Sequence, residues 1–167
     1  AEAFDHSLDW DRVKELMDMW GGKVVLKGIM NREDAERAAE LGADAIVVSN
    51  HGGRQLDGAL SSIRALPGII EAVGDRMEVY FDSGIRSGQD ILKALALGAD
   101  GVMIGRAWVY GLGAMGKDGV TKSLEVLHKE LDTTMALCGH RDLNEVGREI
   151  LHVPKDFSGR WEGSEGA

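Results

Sequence analysis

The chain has 167 residues, enough for one domain with a real core, and its 28 acidic against 19 basic residues leave a formal net charge of −9. That balance argues against nucleic acid as a partner, because no basic surplus exists to displace counterions, while a local phosphate pocket stays open. The single cysteine, Cys138, forbids an intrachain disulfide and points to a reducing, cytoplasmic setting; no apolar run approaches the roughly 20 residues of a membrane span, and the acidic N-terminus does not read as a signal peptide.

Residues 1–8 read as an irregular entry. Residues 9–20 predict an amphipathic helix with Trp10, Val13, Leu16, Met17 and Trp20 on one face, N-capped by Ser7 or Asp9 and ended by Gly21-Gly22. The apolar run 23–29 is short enough for a buried strand, and Asn31 then caps a helix over 32–41 that stops at Gly42. A second strand, 44–49, leads into Asn50-His51-Gly52-Gly53-Arg54. Residues 60–73 are helical in part, with Pro67-Gly68 expected to interrupt them. A third strand, 77–81, precedes Asp82-Ser83-Gly84-Ile85-Arg86; Ser87 caps a helix over 89–97; a fourth strand, 101–104, ends in Gly105-Arg106. A long amphipathic helix over 119–138 follows, then a short helix to Leu151 with Asp142 and Glu145 as a capping box. The Gly/Ser-rich tail, despite Trp161, is expected to be loose, which divides the chain into 1–151 and 152–167.

A repeat underlies this order. Leu41-Gly42-Ala43-Asp44 and Leu97-Gly98-Ala99-Asp100 each precede a strand, and the same shift carries Gly28-Ile29 onto Gly84-Ile85, Asn31 onto Ser87 and Ser49-Asn50 onto Gly105-Arg106. Strands separated by helices run parallel with right-handed crossovers. Four such strands make an open sheet or an arc of a barrel. The arc is favoured, because a (β/α)₈ barrel usually needs about 250 residues and eight strands, each strand here ends in a ligand-like loop on one edge, and an arc of four leaves two unpaired edges. The fold class is therefore α/β, half of a TIM barrel.

Each strand delivers one set of groups to the C-terminal edge, where barrels place their chemistry. The first gives Lys27, costly to bury without a negative partner. The second gives Ser49, His51, able to move a proton near neutral pH, and Arg54, a fork of donors suited to a carboxylate or phosphate. The third gives Asp82, Ser83, Gly84, Ile85 and Arg86 before a helix N-terminus; the fourth gives Gly105 and Arg106. Two glycine turns with cations after the last two strands suit a phosphate. His6, His128, His140 and His152 show no metal-ligand spacing, and no metal is expected. Cys138 reads as buried and inert, the Met residues as core filler, and Arg141 and Arg148 as solvated.

Leu26-Lys27-Gly28-Ile29, Ser49-Asn50-His51-Gly52-Gly53-Arg54-Gln55-Leu56-Asp57, Asp82-Ser83-Gly84-Ile85-Arg86, Lys93-Ala94-Leu95-Ala96-Leu97-Gly98-Ala99 and Gly105-Arg106, in that order, resemble the FMN-dependent α-hydroxy-acid oxidase and dehydrogenase family. Glycolate oxidase, lactate oxidase, L-lactate dehydrogenase and mandelate dehydrogenase belong to it. The resemblance implies FMN as cofactor, a 2-hydroxy acid as substrate, His51 as catalytic base and Arg54 as the group that holds the substrate carboxylate. It implies Lys27 beside the N1–C2=O side of the flavin, Ser49 near the ring and Asp82 near the ribityl chain. It further implies that Gly84, Arg86, Gly105 and Arg106 hold the phosphate, with Ser83 and Ile85 in the same turn.

The resemblance covers only the second half of the family's barrel, up to about Leu151. Two substrate-binding tyrosines and an aspartate that orients the histidine have no counterpart here. The expected partner is thus an N-terminal half as a separate chain, produced by a nick at a mobile loop or by separate construction, within a homo-oligomer such as the family's tetramer. Trp20-Gly21-Gly22-Lys23 resembles the bacterial dehydrogenase branch, hinting at peripheral attachment to the inner membrane through that half; the acceptor is oxygen or an electron-transport partner. The rival reading is a non-catalytic phosphate-binding half-barrel that dimerises. Retention of both His51 and Arg54 disfavours it, since a phosphate binder needs neither.

Overall fold

A computed structural model describes residues 7–154 and Phe157. The expected irregular entry apart from residues 7 and 8, His6, and residues 155–156 and 158–167 of the expected loose tail, Trp161 among them, lie outside these residues; of the tail residues that are described, Phe157 packs against the core. Helix α1 (Trp10–Trp20) is N-capped by Asp9, whose carboxylate accepts from the Arg12 amide at 2.8 Å, and ends on Gly21 at φ 63°. Strand β1 (Val25–Ile29), α2 (Arg32–Leu41), β2 (Ala45–Val48), α3 (Ser62–Val73), β3 (Glu78–Phe81), α4 (Gly88–Ala96), β4 (Gly101–Val102) and α5 (Arg106–Leu137) follow. The strands form one parallel sheet in the order β1-β2-β3-β4, each pairing with its successor through an intervening helix.

Alternation along the strands separates two faces. Ile46, Val48, Val79 and Phe81 pack outward on Ala35, Ala38, Leu66, Ile69, Val73, Ala94 and Leu97 of the helices, and this is the core. The opposite row, Lys27–Val47–Tyr80–Gly101, lies in register across all four strands, like one layer of a barrel interior. Central β2 is buried throughout and purely apolar, as a parallel strand covered on both sides requires.

The repeat has physical content. Asn31 and Ser87 cap their helices the same way, accepting from the Asp34 and Asp90 amides. Gly28 and Gly84 take φ 101° and 95°, and Gly42 and Gly98 take 85° and 106°, so each repeated glycine stands where a side chain would be strained. Asp44 and Asp100 accept from Val24 N at 2.8 Å and Val79 N at 2.7 Å, fastening each strand start to its neighbour.

Six expectations need correction. The methionines are not all core filler: Met17, Met30 and Met77 pack against the core, whereas Met19, Met103 and Met115 are exposed. Pro67 does not interrupt α3, because it removes one backbone hydrogen bond while Ala65, Leu66, Ile69 and Val73 around it are buried. Helix α5 begins at Arg106, well before residue 119, and turns sharply at Met115-Gly116. Its glycines had masked the helix, yet Gly111 and Gly119 let its two arms touch: a Cβ on Gly119 would lie 1.8 Å from Gly111 O. The short C-terminal helix is instead two 3₁₀ turns, Leu143–Glu145 and Arg148–Ile150, separated by extended Val146 and Gly147. Cys138 is exposed, because it ends α5 on the solvent side. Only Trp10 and Met17 of the apolar face of α1 reach the core; Leu16 and Trp20 are exposed, since no described element lies beyond β1 to cover them.

Helices α4 and α5 meet at Gly88, where an added Cβ would fall 2.0 Å from the Leu131 backbone nitrogen. Gly88→Ala should therefore lower stability by about 1–3 kcal/mol, the cost typical of overpacking, read as a shift of the urea midpoint.

Candidate functional site

The loops after the four strands converge on one open groove of about 1410 Å³ at the C-terminal ends of the strands. Its lining holds Lys27, Arg54, Arg86, Lys93 and Arg106 against Asp57, Asp82 and Asp90, so a strongly acidic chain presents a locally cationic groove. His51, Ser83, Gly84, Ile85 and Gly105 line it too, and buried Ser49 lies directly beneath.

At its centre Lys27 Nζ donates to Asp82 Oδ2 at 2.6 Å and to Ser49 Oγ at 3.0 Å, and Ser49 donates to the same carboxylate at 2.8 Å. Three consecutive strands thus meet at one carboxylate. The Asp82 side chain is only 18% exposed. Burial, the largest influence on it, pushes its carboxyl up. Hydrogen bonds from Lys27, Ser49 and the Ser83 amide, with the nearby ammonium charge, together outweigh burial and hold it below its ordinary value.

Among the described residues, His51 and Ser83 are the non-glycine residues with positive φ, at 56° and 84°, and both stand at this site. After His51, Gly52 and Gly53 continue at φ 68° and 74°. Asn50 supports the turn by accepting from the Gly52 amide at 3.0 Å, and Ser49 Oγ accepts from the His51 amide at 3.1 Å. The result sets the imidazole over the end of β1: a Cβ on Gly28 would lie 2.8 Å from His51 Nε2. His51 is exposed, and the exposed Arg54 side chain makes no hydrogen bond or ion pair among the described residues. Both are therefore available to a ligand.

The anion-binding expectation for the turn after β3 is refined. The N-terminus of α4 satisfies itself: Asp90 accepts from the Arg86 and Ser87 amides, Ser87 from the Asp90 amide, and Glu130 from the Gly88 amide. The amides of Gly84 and Ile85, and those of Arg106 and Ala107 at the start of α5, donate to no described group. Helix α5 has no side-chain cap, so its N-terminus is the open one. The Ile85 side chain is buried in the core, which leaves its main chain to face the groove. Arg106 donates from Nη2 to Gly52 O at 3.1 Å.

Sequence reasoning grouped these residues by strand end but missed the Lys27–Asp82 pairing and the ties of Arg106 and Ser83 to Gly52. Lys27 and Asp82 stand 55 positions apart, and only the repeat, which aligns β1 with β3, signals their proximity. His128 and Arg148 stay outside the groove; His140 faces Glu149 at 3.6 Å; His152 lines the far wall. Among the described residues no group of His, Cys, Asp and Glu could hold a metal ion.

Comparison with known proteins places the chain among flavin enzymes. The family model described as FMN-dependent dehydrogenase matches residues 1–153. L-lactate dehydrogenase of Caulobacter vibrioides is 54% identical over 157 residues, covering 93% of this chain and 41% of that protein. The crystal structure of the monotopic membrane protein (S)-mandelate dehydrogenase superposes with a TM-score of 0.85 at 42% identity, over 89% of this chain and 39% of that one. A mandelate oxidase variant carrying a monooxide FMN adduct gives 0.79 at 47% identity, over 83% and 44%. The chain spans about two fifths of the length of the curated relatives it matches.

The depressed pKa of Asp82 has a definite sign. A carboxylate favoured in the fold stabilises it fully above the unfolded value of about 4, and that contribution is lost as pH falls through the lower folded value. Asp82→Asn should lower the urea midpoint at pH 7, and the gap from the parent should close on acidification below about pH 4.

Proposed function

The chain belongs to the FMN-dependent dehydrogenase family, and from that membership we propose that it forms the catalytic face of an enzyme oxidising an L-2-hydroxy acid to the 2-oxo acid. FMN, when bound, supplies the acceptor for the two electrons that leave the substrate. The donor set of the groove fits this cofactor. Four unpaired amides and the guanidinium groups of Arg86 and Arg106 suit a phosphate, and the Lys27 ammonium suits a ring that gains negative charge on reduction.

In this reading His51 takes a proton from the hydroxy acid and Arg54 holds its carboxylate. Lys27 and Ser49 lie beside the flavin, Asp82 keeps Lys27 in place and faces the ribityl chain, and Gly84, Ile85, Arg86, Gly105 and Arg106 hold the phosphate, with Ser83 in the same turn. The observation that carries it is the meeting of a free imidazole, a free guanidinium and a strand-borne ammonium in one groove.

The reading extends to partners. A complementary N-terminal barrel half meets the outer edges of β1 and β4 and contributes the carboxylate that orients His51. No described helix is long and apolar enough to cross a membrane; peripheral attachment is part of this reading because of the likeness to the monotopic (S)-mandelate dehydrogenase. Lactate- or mandelate-like acids are the substrates of choice to test, given the names of the relatives.

His51→Gln should leave FMN bound while slowing its reduction by lactate or mandelate roughly 10²–10⁴-fold, the usual contribution of positioned proton transfer. Near-parental rates of flavin bleaching in stopped flow would remove His51 from the base role. Arg106→Ala should weaken FMN far more than riboflavin, since a phosphate contact is lost and no ring contact; equal losses in titrations with both ligands would place the phosphate elsewhere.

A further inference from the structure

The Gly52 peptide, next to the proposed base, is gripped from outside its own loop. Its amide has two acceptors at 3.0 Å, Asn50 Oδ1 and Ser83 Oγ. Asn50 sits two residues away and moves with the loop. Ser83 belongs to the turn after β3, so its hydroxyl ties this amide to another strand. The Gly52 carbonyl accepts from Arg106 at the start of α5. One residue earlier, the His51 amide is held by Ser49 Oγ, which lies 3.3 Å from the Ser83 hydroxyl.

Ser83 holds this position at φ 84°, a conformation that glycine takes without strain and serine does not. Its strained backbone aims a hydroxyl at the histidine loop. We propose that Ser83 is a positioning residue for His51: its hydroxyl fixes the His51-Gly52 segment against β3 and so sets where the imidazole stands. The inference rests on the reading of His51 as the base, and it separates the side chain of Ser83 from the phosphate-binding role of the turn around it.

Two variants in the full FMN-loaded enzyme test it. Ser83→Gly removes the hydroxyl and relieves the backbone; Ser83→Ala removes the hydroxyl and keeps the strain. Hydrogen exchange of residues 49–54, measured without substrate, should speed up about five- to tenfold at the His51 and Gly52 amides in both, as expected for one lost hydrogen bond. In both, kcat should fall by about the same factor, with KM and FMN affinity within about twofold of the parent. Unchanged exchange in both variants overturns the proposal. So does a response confined to Ser83→Gly, which would assign the effect to strain, or a loss confined to FMN affinity, which would make the hydroxyl a cofactor contact. A parent enzyme that fails to oxidise any hydroxy acid would defeat the catalytic reading alone, because the exchange data decide the hydroxyl's hold on the loop without turnover.

Discussion

The ion pair between Lys27 and Asp82 is the contact on which the rest of the groove depends. An ammonium on β1 and a carboxylate after β3 are brought together only when β2 lies between them in the observed register, with Ser49 bridging both. The largely buried carboxylate alone would carry a desolvation cost; paired with the ammonium, and with the hydroxyl and the Ser83 amide completing its bonds, that cost is offset. The same contact aligns the C-terminal ends of three strands. It is at once a constraint on the sheet and the floor of the site.

Strain and reach are distributed unevenly over this floor. The first repeat turns from β1 into α2 through Met30 and Asn31 alone, with Gly28 bent away so that His51 Nε2 can lie above it. The third turn carries a non-glycine residue at positive φ, and the second carries His51 in the same state. Residues forced into sparsely populated conformations cluster where ligands are handled, because the surrounding bonds over-determine them. Here those bonds come from Ser49, Asn50, Ser83 and Arg106.

Much of this was legible in the chain. The caps Asn31 and Ser87, one of the two candidate caps of α1 (Asp9), the stops at Gly21, Gly42 and Gly98, and the four parallel strands follow from local chemistry and stand where expected, except that β4 keeps only Gly101–Val102 of the expected 101–104. The site residues were legible as strand-end groups because a parallel sheet sends every such end to one edge. The misses have common physical causes. The path of α5 is hidden because glycine disfavours a helix locally, while the contact between Gly111 and Gly119 that needs it is tertiary. Burial of Cys138 and the full use of the α1 face were misjudged because composition does not say which neighbours cover a surface. Bonds between residues 31 and 54 positions apart, such as Ser83 to Gly52 and Arg106 to Gly52, leave no periodic trace at all.

The segment between β2 and α3 carries His51 and Arg54, and both of its ends are tied to the same turn. Ser49 at its entry contacts Asp82 and Ser83, and Ser62 at its exit donates to Ser83 O at 3.2 Å. With its ends held this way, the loop is a cassette. Closure is fixed by the scaffold, and lengthening residues 55–60 adds only the slow logarithmic entropy of a longer ring, about 0.6 kcal/mol per doubling. Descendants of such a chain can therefore rewrite the rim of the groove, and with it the side chain of the ligand they admit, while the imidazole and the ammonium keep their relation to each other.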